Sequence, residues 1–359
     1  MPSTSVTFDW GLYAAVGQEA ASERRDALAK ECPLIGHQEQ VRGKGKPKWE
    51  GGQNFTVALS MVQHTGITQF LDGYEEYDNA ANEPDRVAAY PLVMSGLLMK
   101  IGGLERYTYG ATPGGMRKKI ESLTVNCMGF LKRGWEARII GGVGTGFTSW
   151  IGFNGFDSTA GIFERSAVGS QSNTIGGLSK STYANVIGWN NCVVNLNNAF
   201  GTNQIGLYQL IAQTKIHKDG GKKAWFFSTQ GVTNVKRVVQ AYERYMPNDK
   251  LDLGRPVMQY QGHPVYQESF MPVSTATGGS TTNTYPITAY FIDFEDIFFS
   301  WGEAQKGEGS PLPDGYFGIG EWGPIAGNTT VIGCPMAVVG QTIVADMGSS
   351  GCAYGGETY

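Results

Sequence analysis

The run Asn54-Phe55-Thr56-Val57-Ala58-Leu59-Ser60-Met61-Val62 opens the stretch that decides the fold, and MRKKIESLTVNCMGFLKRGWEARII, residues 116–140, closes it. The first alternates, with Phe55, Val57 and Leu59 on one face, the period-two pattern of a strand. A second apolar run covers 87–101. Between the two lies Asp72-Gly73-Tyr74-Glu75-Glu76-Tyr77-Asp78-Asn79, acidic and rich in turn formers. Residues 48–98 therefore predict a long two-stranded arm. A lone ribbon is marginal in water. Its apolar residues (Phe55, Leu59, Phe70, Leu71, Tyr90 and Leu92) need cover, either from the chain's own core or from a neighbouring copy.

In 116–140 the apolar residues Met116, Ile120, Leu123, Cys127, Leu131, Trp135 and Ile139 recur every three or four positions. That spacing puts one stripe on a helix roughly 40 Å long. Pro113 ahead of it and Gly141-Gly142 behind it are start and stop signals. Ile120, Leu123, Cys127, Leu131 and Trp135 are the expected buried stripe. Arg117, Lys118, Lys119, Lys132, Arg133 and Arg138 make the other side basic, as a solvated face or as a partner for the acidic tip of the arm.

The 359 residues are 41% apolar and 12% aromatic, enough for a sizeable core, but only 17% charged. The 51 glycines are about twice ordinary usage and indicate a chain rich in strands and loops. A net charge of −4 argues against general coating of nucleic acid, which needs clustered Lys and Arg. Five dispersed cysteines without a CxxC pair predict reduced thiols in a cytosol, not a disulfide framework or zinc site. The N-terminal residues lack the pattern of a secretory leader, and no stretch approaches a membrane span.

Residues 1–47 read as an extended arm with a short helix over 14–30 ended by Pro33. The strip from Arg42 through Lys44, Lys46 and Lys48 reads as a solvated linker or a contact for phosphate or an acidic neighbour. After the long helix, the glycine-rich 141–177 carries aromatic anchors: Phe147, Trp150, Phe153, Phe156 and Phe163. A strand over 186–195, a helix over 203–216, a buried strand over 224–229 and a helix over 232–245 then alternate, as in a compact α+β or α/β module. Strands over 257–261 and 264–269 bracket a turn at Gly262-His263, and 271–283 is a polar loop. The apolar 287–301 and one or two strands over 328–346 complete the fold.

Catalytic constellations are sparse. The four histidines are far apart, and Gly142-Val143-Gly144-Thr145-Gly146 follows a helix instead of opening one, which excludes a phosphate loop. Asp293 and Glu295 would share one face of a strand, as an acid/base pair or cation ligands, or else mark an exposed strand end.

The succession of arm, hairpin, long helix, Gly-rich segment, α+β module and late strand resembles the major capsid protein of tailed bacteriophages (Caudoviricetes), the Hong-Kong-97-type fold. The local pieces that carry the resemblance are Gly51-Gly52, Ala88-Ala89-Tyr90 with 98–103, and Gly176-Gly177-Leu178 with Tyr183-Ala184-Asn185. Tyr260-Gln261-Gly262-His263-Pro264-Val265 and Tyr290-Phe291-Ile292-Asp293 continue it, over 48–345 in all.

The resemblance implies an α+β capsid fold with an N-arm (1–47), an E-loop hairpin (48–98) and a peripheral domain (99–200) holding a spine helix (116–140). An axial domain (201–324) and a strand returning to the peripheral domain, with a tail (325–359), follow. It implies assembly contacts through Phe55, Leu59, Phe70, Leu71, Tyr74, Glu75, Glu76, Asp85 and Arg86 on the E-loop, and Arg42, Lys44, Lys46 and Lys48 on the N-arm. The implied protein is a virion shell subunit, not an enzyme, assembled in the host bacterial cytoplasm without cofactor or membrane. It forms pentamers and hexamers around double-stranded DNA, without sequence specificity, beside separate scaffold, portal and decoration proteins. The rival readings are an encapsulin-type compartment shell and a Gly-rich β hydrolase centred on Asp293 and Glu295.

Overall fold

The computed structural model describes residues 32–42, 54–60, 85–110, 113–142, 150–155, 161–167, 169–187, 189–196, 204–215, 222–242, 258–271, 287–301, 316–317, 323–325 and 328–355. In chain order the elements are α1 (Pro33–Arg42), β1 (Asn54–Ser60), β2 (Asp85–Pro91), β3 (Val93–Ile101), α2 (Gly103–Gly110) and α3 (Pro113–Gly141). Next come β4 (Thr174–Ile175), β5 (Leu178–Ser179), α4 (Lys180–Ile187), β6 (Cys192–Asn195), α5 (Gln204–Gln213), β7 (Lys223–Phe227) and α6 (Thr229–Tyr242). The last are β8 (Met258–Tyr260), β9 (His263–Gln267), β10 (Ile287–Asp293), β11 (Ile297–Trp301), β12 (Tyr316–Phe317), β13 (Gly323–Ile325), β14 (Asn328–Val344) and β15 (Gly351–Tyr354). The expected helix over 14–30 and the loop over 272–283 lie outside the described residues.

The chain divides into two compact units, each discontinuous in sequence. One takes Met1–Gly51, Leu92–Ala137 and Phe299–Gln341. Its frame is a five-stranded sheet built on β14, to which β3 adds antiparallel with Ile332 opposite Ile101 and Gly340 opposite Val93. Most of α3 belongs here. Pro33 begins α1, where its missing N–H costs nothing. That helix has no acidic residue in its first turn. The cap comes from afar: the fully buried Glu136 of α3 accepts the Leu34 N–H at 3.0 Å and the Ile35 N–H at 3.4 Å. A carboxylate there satisfies orphan donors and faces the positive end of the helix.

The other unit takes Gly52–Pro91, Arg138–Phe298 and Thr342–Tyr359. Its six-stranded sheet runs β6-β15-β10-β7-β9-β8. Trp225 stacks on Phe291 at 4.3 Å between ring centres, and Leu207, Leu210, Val232 and Val235 of the two neighbouring helices join the same core. The Gly-rich region is pinned by its aromatics, since Phe153, Phe163 and Tyr290 meet at 5.1–5.4 Å. Gln261 and Gly262, both at positive φ, close the tight β8–β9 turn.

Several elements differ from expectation. Residues 186 and 187 complete α4, and only Cys192–Asn195 pairs as a strand. The apolar run 287–301 is two strands, β10 and β11, split by a turn at 294–296. Residues 351–354, expected as tail, form β15, an interior strand parallel to β6 and antiparallel to β10. The return limb of the arm also divides: β2 pairs with β1, whereas 93–98 belong to β3 on the β14 sheet.

Candidate assembly surface

Strands β1 and β2 pair antiparallel, with Phe55 opposite Tyr90, Val57 opposite Ala88 and Leu59 opposite Arg86. Pairing of this kind sends those residues to one face. Phe55, Leu59, Ala88 and Tyr90 on that face are buried, while Thr56, Ala58 and Val87 on the other are exposed. The Ala89 N–H donates to the Gly176 carbonyl at 3.0 Å, and the Tyr90 hydroxyl to the Val344 carbonyl at 2.6 Å. Burial pushes the Tyr90 phenol well above its usual pKa, with the Val344 bond pulling the other way. Of the two sources of cover open to the arm, the root of the ribbon takes the chain's own. Phe55 and Leu59 are therefore not free contact residues. Arg86 is exposed; the Asp85 side chain, and Phe70, Leu71, Tyr74, Glu75 and Glu76, lie outside the described residues.

Gly176 is the seat of that root. It and Gly177 form the β4–β5 turn with φ of 60° and 82°. A Cβ on Gly176 would stand 2.9 Å from the Tyr90 ring and 3.0 Å from the Ala88 methyl. Sequence reading singled out the Gly-Gly pair without its contact.

Below the turn lies a charged centre that no sequence motif announced. Lys180, fully buried, donates to the Ile162 carbonyl at 2.5 Å and Asn191 Oδ1 at 2.8 Å, and pairs with Glu164 at 3.3 Å. Glu164 also accepts the Ser172 and Asn173 N–H groups at 2.9 and 2.7 Å. Three acceptors match the three ammonium donors, so the buried charge is satisfied. Burial pulls the Lys180 pKa down to about 8, opposed by Glu164. The centre fixes both flanks of the turn that carries Gly176.

Around α3, Ile120, Leu131 and Trp135 are buried, whereas Leu123 and Cys127 are only half-covered. The correction has a geometric cause: the buried track steps by four through Thr124 and Met128, leaving Leu123 and Cys127 on its rim. The opposite row, Lys118, Ser122, Asn126 and Phe130, with Arg133 beyond it, is exposed. Arg42 closes α1; Lys44, Lys46 and Lys48 lie outside the described residues.

The unit built on β14 also shows large apolar side chains to solvent. Met94 (68% exposed), Leu97 and Leu98 on β3, Leu104 (80%) and Tyr107 (84%) on α2, and Phe130 (63%) on α3 are uncovered. Helix α2 turns its other side to α3, where Lys119 pairs with Glu105 at 2.8 Å and lies over the Tyr109 ring at 5.4 Å. Leu104 and Tyr107, three residues apart, share its outer face.

Asp293 is no strand-face partner of Glu295. Its Oδ1 accepts the Glu295 N–H at 3.0 Å and the Lys222 N–H at 3.4 Å, a turn-capping role in a buried position. Among the described residues, no three His, Cys, Asp or Glu side chains gather as a metal site would require.

No model of a known protein family matches the chain, and no curated protein matches it. Solved structures do. A cyanophage A-1(L) capsid chain aligns over 91% of this chain and 93% of its own, with a TM-score of 0.53 and 11% identity. A chain from the capsid of a native GTA particle aligns over 85% and 86%, with a TM-score of 0.52 and 14% identity. The SrpI encapsulin of Synechococcus elongatus aligns over 90% and 89%, with a TM-score of 0.50 and 11% identity. The chain has the mixed α+β fold shared by these shell-forming proteins.

Proposed function

We propose that this chain is a major capsid protein, a non-enzymatic subunit that self-assembles into the pentamers and hexamers of an icosahedral or prolate phage head enclosing double-stranded DNA. The observation that carries the reading is a capsid-type fold extending over about nine-tenths of the chain. The uncovered apolar side chains on β3, α2 and α3 support it, because a subunit that works alone has no use for them. Many modest interfaces repeated under closed symmetry make a stable shell. In this reading β1 and β2 are the root of the E-loop, α3 is the spine helix and the six-stranded sheet lies in the axial part. The particle would be the virion capsid, with separate scaffold, portal and decoration proteins as partners. The acidic net charge suits a shell that does not adhere to its packaged DNA.

Electron microscopy of the purified chain tests this: closed particles are expected, and a chain that stays a lone subunit at high concentration overturns it. Leu104→Asp and Tyr107→Asp are expected to leave the melting temperature unchanged, within about 0.5 kcal/mol, while reducing particle yield. A second reading, an encapsulin-type compartment, is favoured by the fold shared with the Synechococcus elongatus encapsulin. Particle contents separate the two, with nucleic acid marking a phage head and a bound enzyme marking a compartment.

A further inference from the structure

Lys180, Asn191 and Glu164 meet with more order than an ion pair needs. Lys180 Nζ stands 2.8 Å from Asn191 Oδ1 and 3.3 Å from Glu164 Oε1, and all three residues are buried. The Asn191 amide is held at both ends. Its Oδ1 accepts the Glu164 N–H at 3.0 Å, while its Nδ2 donates to the Glu164 carbonyl at 3.1 Å and the Cys192 carbonyl at 3.3 Å. Those partners fix which end of the amide is oxygen. The Asn191 main chain is clamped as well: Gln171 Oε1 accepts its N–H at 3.1 Å, and Gln171 Nε2 donates to its carbonyl at 2.9 Å. Asn191 Cγ lies one carbonyl bond beyond Oδ1, about 1.2 Å, and is thus within about 4.0 Å of the Lys180 nitrogen. An amine, an amide carbon, a carboxylate base and a main-chain N–H aimed at the carbonyl oxygen are the parts that acyl transfer requires.

We propose that Lys180 and Asn191 of a single chain become joined by an isopeptide bond between Lys180 Nζ and Asn191 Cγ, with Glu164 carrying the protons and ammonia leaving. The ion pair is the state before reaction. Glu164 takes a proton from the Lys180 ammonium, and the amine so released attacks Cγ. As the Nζ–Cγ bond forms, the carbonyl electron pair moves to Oδ1, where the Glu164 N–H stabilises the negative charge. The Cγ–Nδ2 bond then breaks. Nδ2 departs with the two protons that Nζ has shed, as ammonium, and Glu164 is regenerated. No electrons are gained or lost, so no oxidant is needed. Burial assists the first step, since a Lys180 pKa pulled down to about 8 leaves about a tenth of the amine neutral at pH 7. The rival nucleophile is Cys352, whose Sγ lies 3.8 Å from Asn191 Nδ2; burial raises its pKa and keeps it a thiol. The finished bond would tie the first residue of α4 to the residue before β6, closing 180–191 into a ring that restricts the unfolded chain.

The test is the mass of the full chain, measured as purified and after incubation at about pH 8, where more of the amine is neutral. A mass about 17 Da below that of the sequence is expected, the loss of one ammonia. Trypsin should then leave 166–215 as one peptide, uncut after Lys180, with fragment ions placing the link between Lys180 and Asn191. A full sequence mass after incubation overturns the proposal. So does an ammonia loss with Lys180 still cut, which marks a cyclised asparagine instead. Lys180→Arg keeps the positive charge and is expected to hold the full mass; a loss of ammonia there overturns the assignment to Lys180. Glu164→Gln is expected to form the bond at least about tenfold more slowly, and formation at the wild-type rate overturns the role given to Glu164. The wild-type mass and digest require no substitution, and decide the matter even where a variant fails to fold.

Discussion

Gln38 holds Phe299 by both of its main-chain polar groups: the Phe299 N–H donates to Gln38 Oε1 at 2.7 Å, and Gln38 Nε2 donates to the Phe299 carbonyl at 2.8 Å. A side-chain amide on α1 thus does for β11 what a neighbouring strand would do, in a site where both residues are buried. With the Glu136 cap on the same helix, this anchors α1 to the unit built on β14 at two places.

Gln38→Leu strands a buried donor and a buried acceptor, and is expected to cost about 3 kcal/mol. Gln38→Glu places a carboxylate oxygen against the Phe299 carbonyl and should cost more. Urea unfolding measures both; equal stability in the three proteins would show that the clamp contributes nothing.

His37, one residue earlier, gives the unit an acid sensitivity. Burial pulls its pKa down from 6.5 to about 4, so it stays neutral in the folded chain at pH values where the unfolded chain binds a proton. Stability from this group is present above pH 6.5 and drains away as pH falls toward 4, by up to about 3 kcal/mol. His37→Phe is expected to flatten this decline in melting temperature across that window. An unchanged acid profile would remove His37 from the account.

The two tracks on α3 make opposite predictions. Met128→Asp buries a charge in the core and is expected to cost several kcal/mol. Leu123→Asp, on the half-covered rim, should cost about 1 kcal/mol. Thermal melts of the pair discriminate; equal losses would contradict the register of burial along the helix.

Gly176→Ala imposes a left-handed conformation on a side chain whose Cβ also strikes Tyr90 and Ala88. A loss of about 2 kcal/mol is expected, with faster amide exchange at 86–90 and little change in the six-stranded sheet. Uniform loss of protection in both places would mean that the turn is not the local seat of the ribbon.

The sequence was most legible where periodicity is strong and local. The α3 stripe, the apolar run 224–227 of β7 and the alternation of Phe55, Val57 and Leu59 are all read correctly as elements from side-chain pattern alone. Their covering was less legible. Nothing in DRVAAYP says that Gly176 and Val344, far along the chain, take the hydrogen bonds of Ala89 and Tyr90, because docking is a non-local event. Leu123 and Cys127 failed for a smaller reason: two apolar tracks one residue apart fit the same helix, and only tertiary contacts choose between them. Lys180 and Glu164 give no signal at all, since a buried ion pair leaves no pattern in a window of sequence. Gly351-Cys352-Ala353-Tyr354 is too short and too small in side chain to read as a strand, yet its neighbours in the sheet are long-range partners.

That last strand bears on how the chain is made. With β15 inserted between β6 and β10, a polypeptide still emerging from the ribosome holds two bare edges facing a gap until residue 354 is out. Bare edges of that kind recruit other chains. Chains halted before residue 351 keep both edges bare, and are expected to aggregate or be cleared by proteolysis where the chain that includes β15 folds.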